Sequence, residues 1–201
     1  MLEGKDKTID EQVDILNKIL MKNEKLVSVL KILEKYAQEN PDFKNYYLGA
    51  GGVNQTIFNY YHGYDLNYGI KDFDIVYFDS DESYEKEDVI IHDLLERLKD
   101  VDVCVDVKNQ ARVYIWYKEK YGVERVPYSG VEDAISSWGA TITCIGVRLE
   151  KGKLKVCCPY GLNDIFSMIV RPVKKEFSKE QYDERAKRWK DKWEKLSIKE
   201  W

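Results

Sequence analysis

The stretch from Tyr46 to Asp79 restricts the folding of this chain more than any other. Tyr46-Tyr47-Leu48 reads as a short apolar strand, and Gly49-Ala50-Gly51-Gly52 as a turn almost free of side chains. Val53 to Tyr61 has helical spacing, with Val53, Ile57, Tyr60 and Tyr61 on one side. Asp72-Phe73-Asp74 then leads into a second strand, Ile75-Val76-Tyr77-Phe78. Residues i and i+2 of a strand face the same way, so Asp72 and Asp74 project together and Phe73 turns to the opposite face. A bare turn at a helix start, beside two carboxylates, can hold a triphosphate and a divalent cation.

The chain has 201 residues, enough for one domain with a sizeable core. Its net charge of −4 argues against broad affinity for nucleic acid. No run approaches about 18 apolar residues, so no membrane span is expected. The polar start, MLEGKDKTID, lacks the apolar core of a signal peptide. The cysteines Cys104, Cys144, Cys157 and Cys158 form no CxxC and have no His at zinc-ligand spacing. Three of them lie in strand-like runs and read as small hydrophobes, and a reducing cytoplasm is expected.

Along the chain, Thr8 with Glu11 forms a capping box before Val13, Leu16, Ile19 and Leu20. A second helix carries Leu26, Leu30, Leu33 and Ala37 and ends before Pro41. Asp79-Ser80-Asp81-Glu82-Ser83 mimics the start of a calcium loop, but Tyr84 stands where glycine is needed, so a solvated loop is expected. Val89, Ile90, Leu94, Leu95 and Leu98 mark a further helix. Val101 to Val107 alternates as a strand, which places Asp106 opposite the valines. Helix and strand are both open for Val113 to Tyr121. Ser129 with Glu132 caps a helix through Trp138; Thr141–Arg148 and Leu154–Cys158 make a hairpin around Gly152; Gly161–Ile169 is a short helix. The tail from Lys174 holds ten Lys/Arg and seven Asp/Glu, with a capping box at Ser178 and Gln181. Tyr182, Ala186, Trp189, Trp193 and Leu196 follow as a core-facing stripe. The mixture of helices and strands reads as one α/β (α+β) domain over 1–201, with a helical cover (1–45), a core (46–170) and a C-terminal helix (174–201).

Gly49-Ala50-Gly51 after a strand also fits the start of a dinucleotide fingerprint. Asn54 stands where that fingerprint needs Gly or Ala, and the acids precede their strand instead of following it. No GxxxxGK[ST] occurs, which excludes a P-loop. Metal-assisted nucleotidyl transfer needs two or three carboxylates on neighbouring strands. Asp72 and Asp74, with Asp106 on a later strand, supply them. A DxD alone is weak among 36 acidic residues; the ordered set of strand, glycine turn, helix, DxD strand and later acid is specific.

That order resembles the nucleotidyltransferase superfamily of DNA polymerase beta. GAGGVNQTIFNYYHG, DFDIVYFD, VDVKNQARVYIWY and PYGLNDIF together resemble a bacterial nucleotidyltransferase-like family, similar to the head domain of CCA-adding enzymes. The resemblance covers Tyr46 to Trp193. It implies a polymerase-beta-like mixed sheet flanked by helices, binding of Mg²⁺ and an NTP such as ATP, and Asp72, Asp74 and Asp106 as the carboxylates. Gly49, Gly51, Gly52, Asn54, Lys108 and Arg112 are the nucleotide-binding candidates. Asn54 holds the place of a motif arginine, Gly52 that of a larger apolar residue, and the tRNA-binding body has no counterpart. The expected activity is transfer of a nucleoside monophosphate to an unnamed hydroxyl acceptor. A non-catalytic nucleotide-binding or interaction protein is the alternative, and an NAD oxidoreductase is a third. His62 is expected to be packed and hydrogen-bonded, and Trp138 to be buried rather than stacked on a base.

Overall fold

A computed structural model describes residues 1–121 and 124–201, with the backbone alone at 119–121. Helices α1 (Ile9–Leu20) and α2 (Glu24–Glu39) come first. The capping box holds as expected: Glu11 N–H donates to Thr8 Oγ1, and Thr8 N–H donates to Glu11 Oε2. Then follow β1 (Tyr46–Gly49), α3 (Ala50–His62), β2 (Phe73–Tyr77), α4 (Tyr84–Leu98) and β3 (Val105–Asn109). The aromatic stretch is helix α5 (Val113–Tyr121), which settles that ambiguity. Next come α6 (Val131–Ile135), β4 (Gly146–Glu150), β5 (Lys153–Cys157), α7 (Asn163–Phe166), β6 (Ile169–Val170), α8 (Lys179–Lys192) and β7 (Ser197–Ile198).

The main sheet runs β3-β2-β1-β4-β5. Strands β2 and β3 are parallel and the other pairs antiparallel. The α4 crossover is what a parallel β2–β3 pair requires. Alternation sorts the side chains into two faces. Tyr46, Leu48, Phe73, Ile75, Tyr77 and Val107 enter the large core beneath α1–α4. Tyr47 and Val76 face the other way and meet Val131 and Ile135 of α6. Asp74 and Asp106 share the phase of this second face.

Several expected elements move. Gly51 and Gly52 lie in the first turn of α3, not in a separate turn. Strand β3 starts only at Val105, so Val101–Cys104 precede it. The helix expected from Ser129 to Trp138 is the short α6, capped by Gly130. Ser129 instead donates to Asp133, and Glu132 accepts from the Tyr47 hydroxyl. The hairpin around Gly152 is present but begins at Gly146, since Thr141–Ile145 is bound by local turns. Val89 and Leu95 of α4 are exposed. The C-terminal tryptophans divide: Trp193 is fully buried with its indole N–H donating to Asn59 Oδ1 at 2.7 Å, while Trp189 is half-buried.

Gly52 packs directly on β2. A Cβ there would lie 2.6 Å from the Phe73 ring, and Phe73 is only 3% exposed. Alanine gains about 0.5–1 kcal/mol of helix propensity over glycine. Overpacking a tight core costs about 1–3 kcal/mol. Gly52→Ala should therefore destabilise the fold by roughly 1–2 kcal/mol. Urea denaturation measures this; an unchanged or higher midpoint would show that the contact yields.

Candidate active site

The parallel register of β2 and β3 sets Asp74 directly beside Asp106 on the same face. Asp72 lies two residues before Asp74, immediately ahead of β2, and lines the same cleft. The cleft is about 540 Å³ in volume. The Gly51 backbone N–H, at the start of α3, lies near the Asp74 carboxylate and favours its charged form. Burial pushes Asp74 up to about 6, and the charges of Asp72 and Asp106 add to that; Gly51 N–H and Lys108 oppose it. By exposed area Asp74 is only half-buried, because its carboxylate opens on the cleft while protein packs densely around it.

Lys108 follows Asp106 by two residues and so shares its face; its ammonium pairs with Asp106 Oδ2. Among the described residues, no three His, Cys, Asp or Glu side chains are grouped as metal ligands. The three aspartates still offer the hard oxygen donors that Mg²⁺ takes. The Lys108 ammonium lies where their charge calls for a cation.

The other candidates separate. Gly51 lines the cleft, and a Cβ on it would meet Gln55 Nε2 at 2.9 Å. Gly49 lies under Trp138, whose ring would be 2.6 Å from an added Cβ. Gly52 packs on Phe73 instead of facing the cleft. Ala50, between them, opens α3 at φ +41°, a strained value for a residue with a side chain. Asn54 lines the cleft but is buried; its Nδ2 donates to the Ile142 carbonyl at 3.1 Å, and its Oδ1 has no hydrogen-bond partner.

Arg112 does not reach the cleft, contrary to expectation. A 3-10 turn at Gln110–Arg112 swings it toward α4, where it pairs with Glu87 and lies over the Tyr84 ring. Asn109 orders that turn by accepting from Ala111 N–H, and ties it to Asp79 in both directions. His62 is structural, as expected. Lys195 N–H donates to Nε2, so Nδ1 carries the proton given to the Phe58 carbonyl at 2.7 Å. In the Asp79 loop Lys86 holds the carboxylates, at 2.7 Å from Asp79 and 3.6 Å from Asp81. The cysteines are free; Cys104 is exposed, and burial pushes Cys144 and Cys157 up to about 12.

The far wall of the cleft escaped the sequence reading. Trp116 and Tyr117 come from α5; Arg185, Arg188 and Trp189 come from α8. Arg125 stacks 3.8 Å from the Tyr117 ring centre and pairs with Glu176 at 2.6 Å. The Tyr128 hydroxyl donates to the same Glu176 at 2.6 Å, and burial raises it. Trp138, expected in the core, is half-buried and also lines this cleft. Aromatic and basic residues ringing an acidic centre can stack a base and counter a phosphate chain. Their one sequence signal is the density of Trp, Tyr and Arg in the segments that form α5 and α8.

The proton on Asp74 has a measurable consequence. Its native pKa lies above its unfolded value, so ionising it costs the folded state free energy. That loss accrues between about pH 4 and about pH 6 and is complete above. In EDTA, Asp74→Asn should therefore be more stable than the parent at pH 8, by roughly 1–3 kcal/mol, and nearly equal at pH 3. Paired urea titrations decide it; a variant equally destabilised at both pH values would contradict the strained carboxylate.

Comparison with known proteins follows the same lines. A family model described as nucleotidyltransferase matches residues 37–198. A protein whose NMR structure reveals a CCA-adding enzyme head domain is similar at 25% identity and a TM-score of 0.73. The match covers 94% of this chain and 96% of that one. No curated protein matches the chain at a significant level. No described helix is long and apolar enough to cross a membrane.

Proposed function

Since the chain belongs to the nucleotidyltransferase family, we propose that it moves a nucleoside monophosphate from an NTP to a hydroxyl acceptor, with Mg²⁺ held by Asp72, Asp74 and Asp106. The observation that carries this reading is the register of Asp74 beside Asp106 on parallel strands, with Asp72 at the same cleft. Bound Mg²⁺ would neutralise the phosphate oxygens and acidify the acceptor hydroxyl.

The acceptor oxygen attacks the α-phosphorus. A new O–P bond forms, the bond to the β-bridging oxygen breaks, and pyrophosphate leaves with that electron pair. The hydroxyl proton passes to Asp106, whose carboxylate must first be released from its pairing with Lys108. Gly51 positions Asp74 through its N–H. With Asn54 in place of a motif arginine and Arg112 turned to Glu87, the cations lining the cleft are Lys108, paired with Asp106, and the arginines of the far wall, of which Arg125 pairs with Glu176. Gly49 and Gly52 act on the site by packing, through Trp138 and Phe73. Free thiols fit a reducing, cytoplasmic setting.

A non-catalytic, nucleotide-binding role is the second reading. Lys108 seated on Asp106, with no three carboxylates grouped as ligands among the described residues, favours it. Incorporation from α-labelled NTPs, with Mg²⁺ and varied acceptors, separates the two. The parent should label an acceptor and Asp74→Asn should lose at least about a hundredfold. NTP binding by the parent without any labelling would favour the second reading. Absent NTP binding, or binding and labelling indifferent to Asp74, would remove both.

A further inference from the structure

A second cavity of about 420 Å³ adjoins the cleft and shares Gln55, Asp72, Arg188 and Trp189 with it. Beyond that shared wall it is lined by Lys71, Lys192 and Trp193, among others. Lys71 and Arg188 make no hydrogen bond or ion pair with any described residue. The Lys192 ammonium donates to the Gly69 carbonyl at 3.3 Å and lies over the Trp193 ring. Two carboxylates, Asp72 and Asp191, also face the cavity. With Asp72 engaged at the metal, three cations would stand against Asp191 alone.

The fold builds the floor of this cavity. Gly69, at φ +71°, lets the main chain meet the buried indole of Trp193; a Cβ there would lie 3.2 Å from that ring. Trp189, one turn earlier on α8, lines both cavities. Asp72 therefore lies where two chambers meet, with Asp74 and Asp106 on the side of the first cleft. Two chambers meeting at Asp72 suit in-line displacement at phosphorus, which sets attacking and leaving oxygens on opposite sides.

We infer that the second cavity is the acceptor subsite and takes a small hydroxyl-bearing molecule with an anionic group, such as a sugar phosphate. This rests on the nucleotidyltransferase reading above. Lys71, Lys192 and Arg188 hold the anion, and Trp189 covers the apolar side of the ring. The acceptor's hydroxyl oxygen then faces the α-phosphorus across Asp72 and displaces pyrophosphate. The volume falls in the range of about 300–1,000 Å³ usual for small-ligand sites. A polynucleotide calls for an extended basic track. Here the second cavity holds three cations, Lys71, Arg188 and Lys192, on a chain of net charge −4.

The test is a ¹⁵N NMR titration of the indole N–H signals, assigned by Trp138→Phe and Trp189→Phe. ATP with Mg²⁺ is added to saturation, then ribose 5-phosphate or inorganic phosphate. ATP–Mg²⁺ should shift Trp138; either phosphate should then shift Trp189. Lys71→Ala should weaken that second step about tenfold and leave ATP binding unchanged. A Trp189 signal unmoved by both phosphates, with ATP still shifting Trp138, overturns the acceptor subsite alone. A single-stranded trinucleotide that shifts Trp189 where the phosphates do not overturns it in favour of a polynucleotide. ATP–Mg²⁺ that shifts no indole overturns the nucleotidyltransferase reading and this inference with it.

Discussion

Crowding of like charge around Asp74 is the constraint on which the site depends. Burial alone disfavours an ionised carboxylate, and Asp72 and Asp106 stand close enough to raise its pKa further. Nothing in packing calls for such an arrangement, since an apolar residue on that face of β2 would cost less. The fold maintains it through register. A slip of one residue in β2 would send Asp74 into the helix-covered core and bring Phe73 to the cleft. Phe73, wedged against Gly52, resists that slip. The Gly51 N–H and the Lys108 charge offset part of the cost at Asp74. The glycines of α3 thus serve the carboxylates in two ways, Gly52 by packing on Phe73 and Gly51 by a backbone N–H that favours the Asp74 charge.

The two ends of the chain meet at this site in different ways. Helices α1 and α2 bury their leucines under the far face of the sheet and touch no part of the cleft. Helix α8 does both jobs. Trp193 anchors it in the core through Asn59 and the Phe58 ring, at 5.6 Å between centres. One turn earlier, Trp189 is carried to the wall between two cavities. A single amphipathic stripe therefore holds one core residue and one cleft residue.

Much of this was legible in the sequence because strands alternate strictly. The phase of Asp72, Asp74 and Asp106 follows from period two, and the structure puts all three at one cleft. Both capping boxes were readable because Thr8–Glu11 and Ser178–Gln181 are purely local devices. What failed was non-local. Arg112 adjoins Asp106 in sequence, but a 3-10 turn and the pull of Glu87 carry it away. The ends of α6 were misread because Glu132 and Asp133 are taken by Tyr47 and Ser129. The far wall gathers Arg125, Glu176 and Trp189 from distant segments, and no periodicity reports that meeting.

The central claim is that the three aspartates form a cation site for phosphate chemistry, with Asp74 strained while no cation is bound. A carboxyl-carbon NMR titration of Asp74, assigned through Asp74→Asn, tests it most directly. Without Mg²⁺ the signal should titrate at about 6. With Mg²⁺ and ATP it should shift well below its ordinary carboxylate range, because the cation favours the charged form. A midpoint near 4 in both conditions would contradict the account.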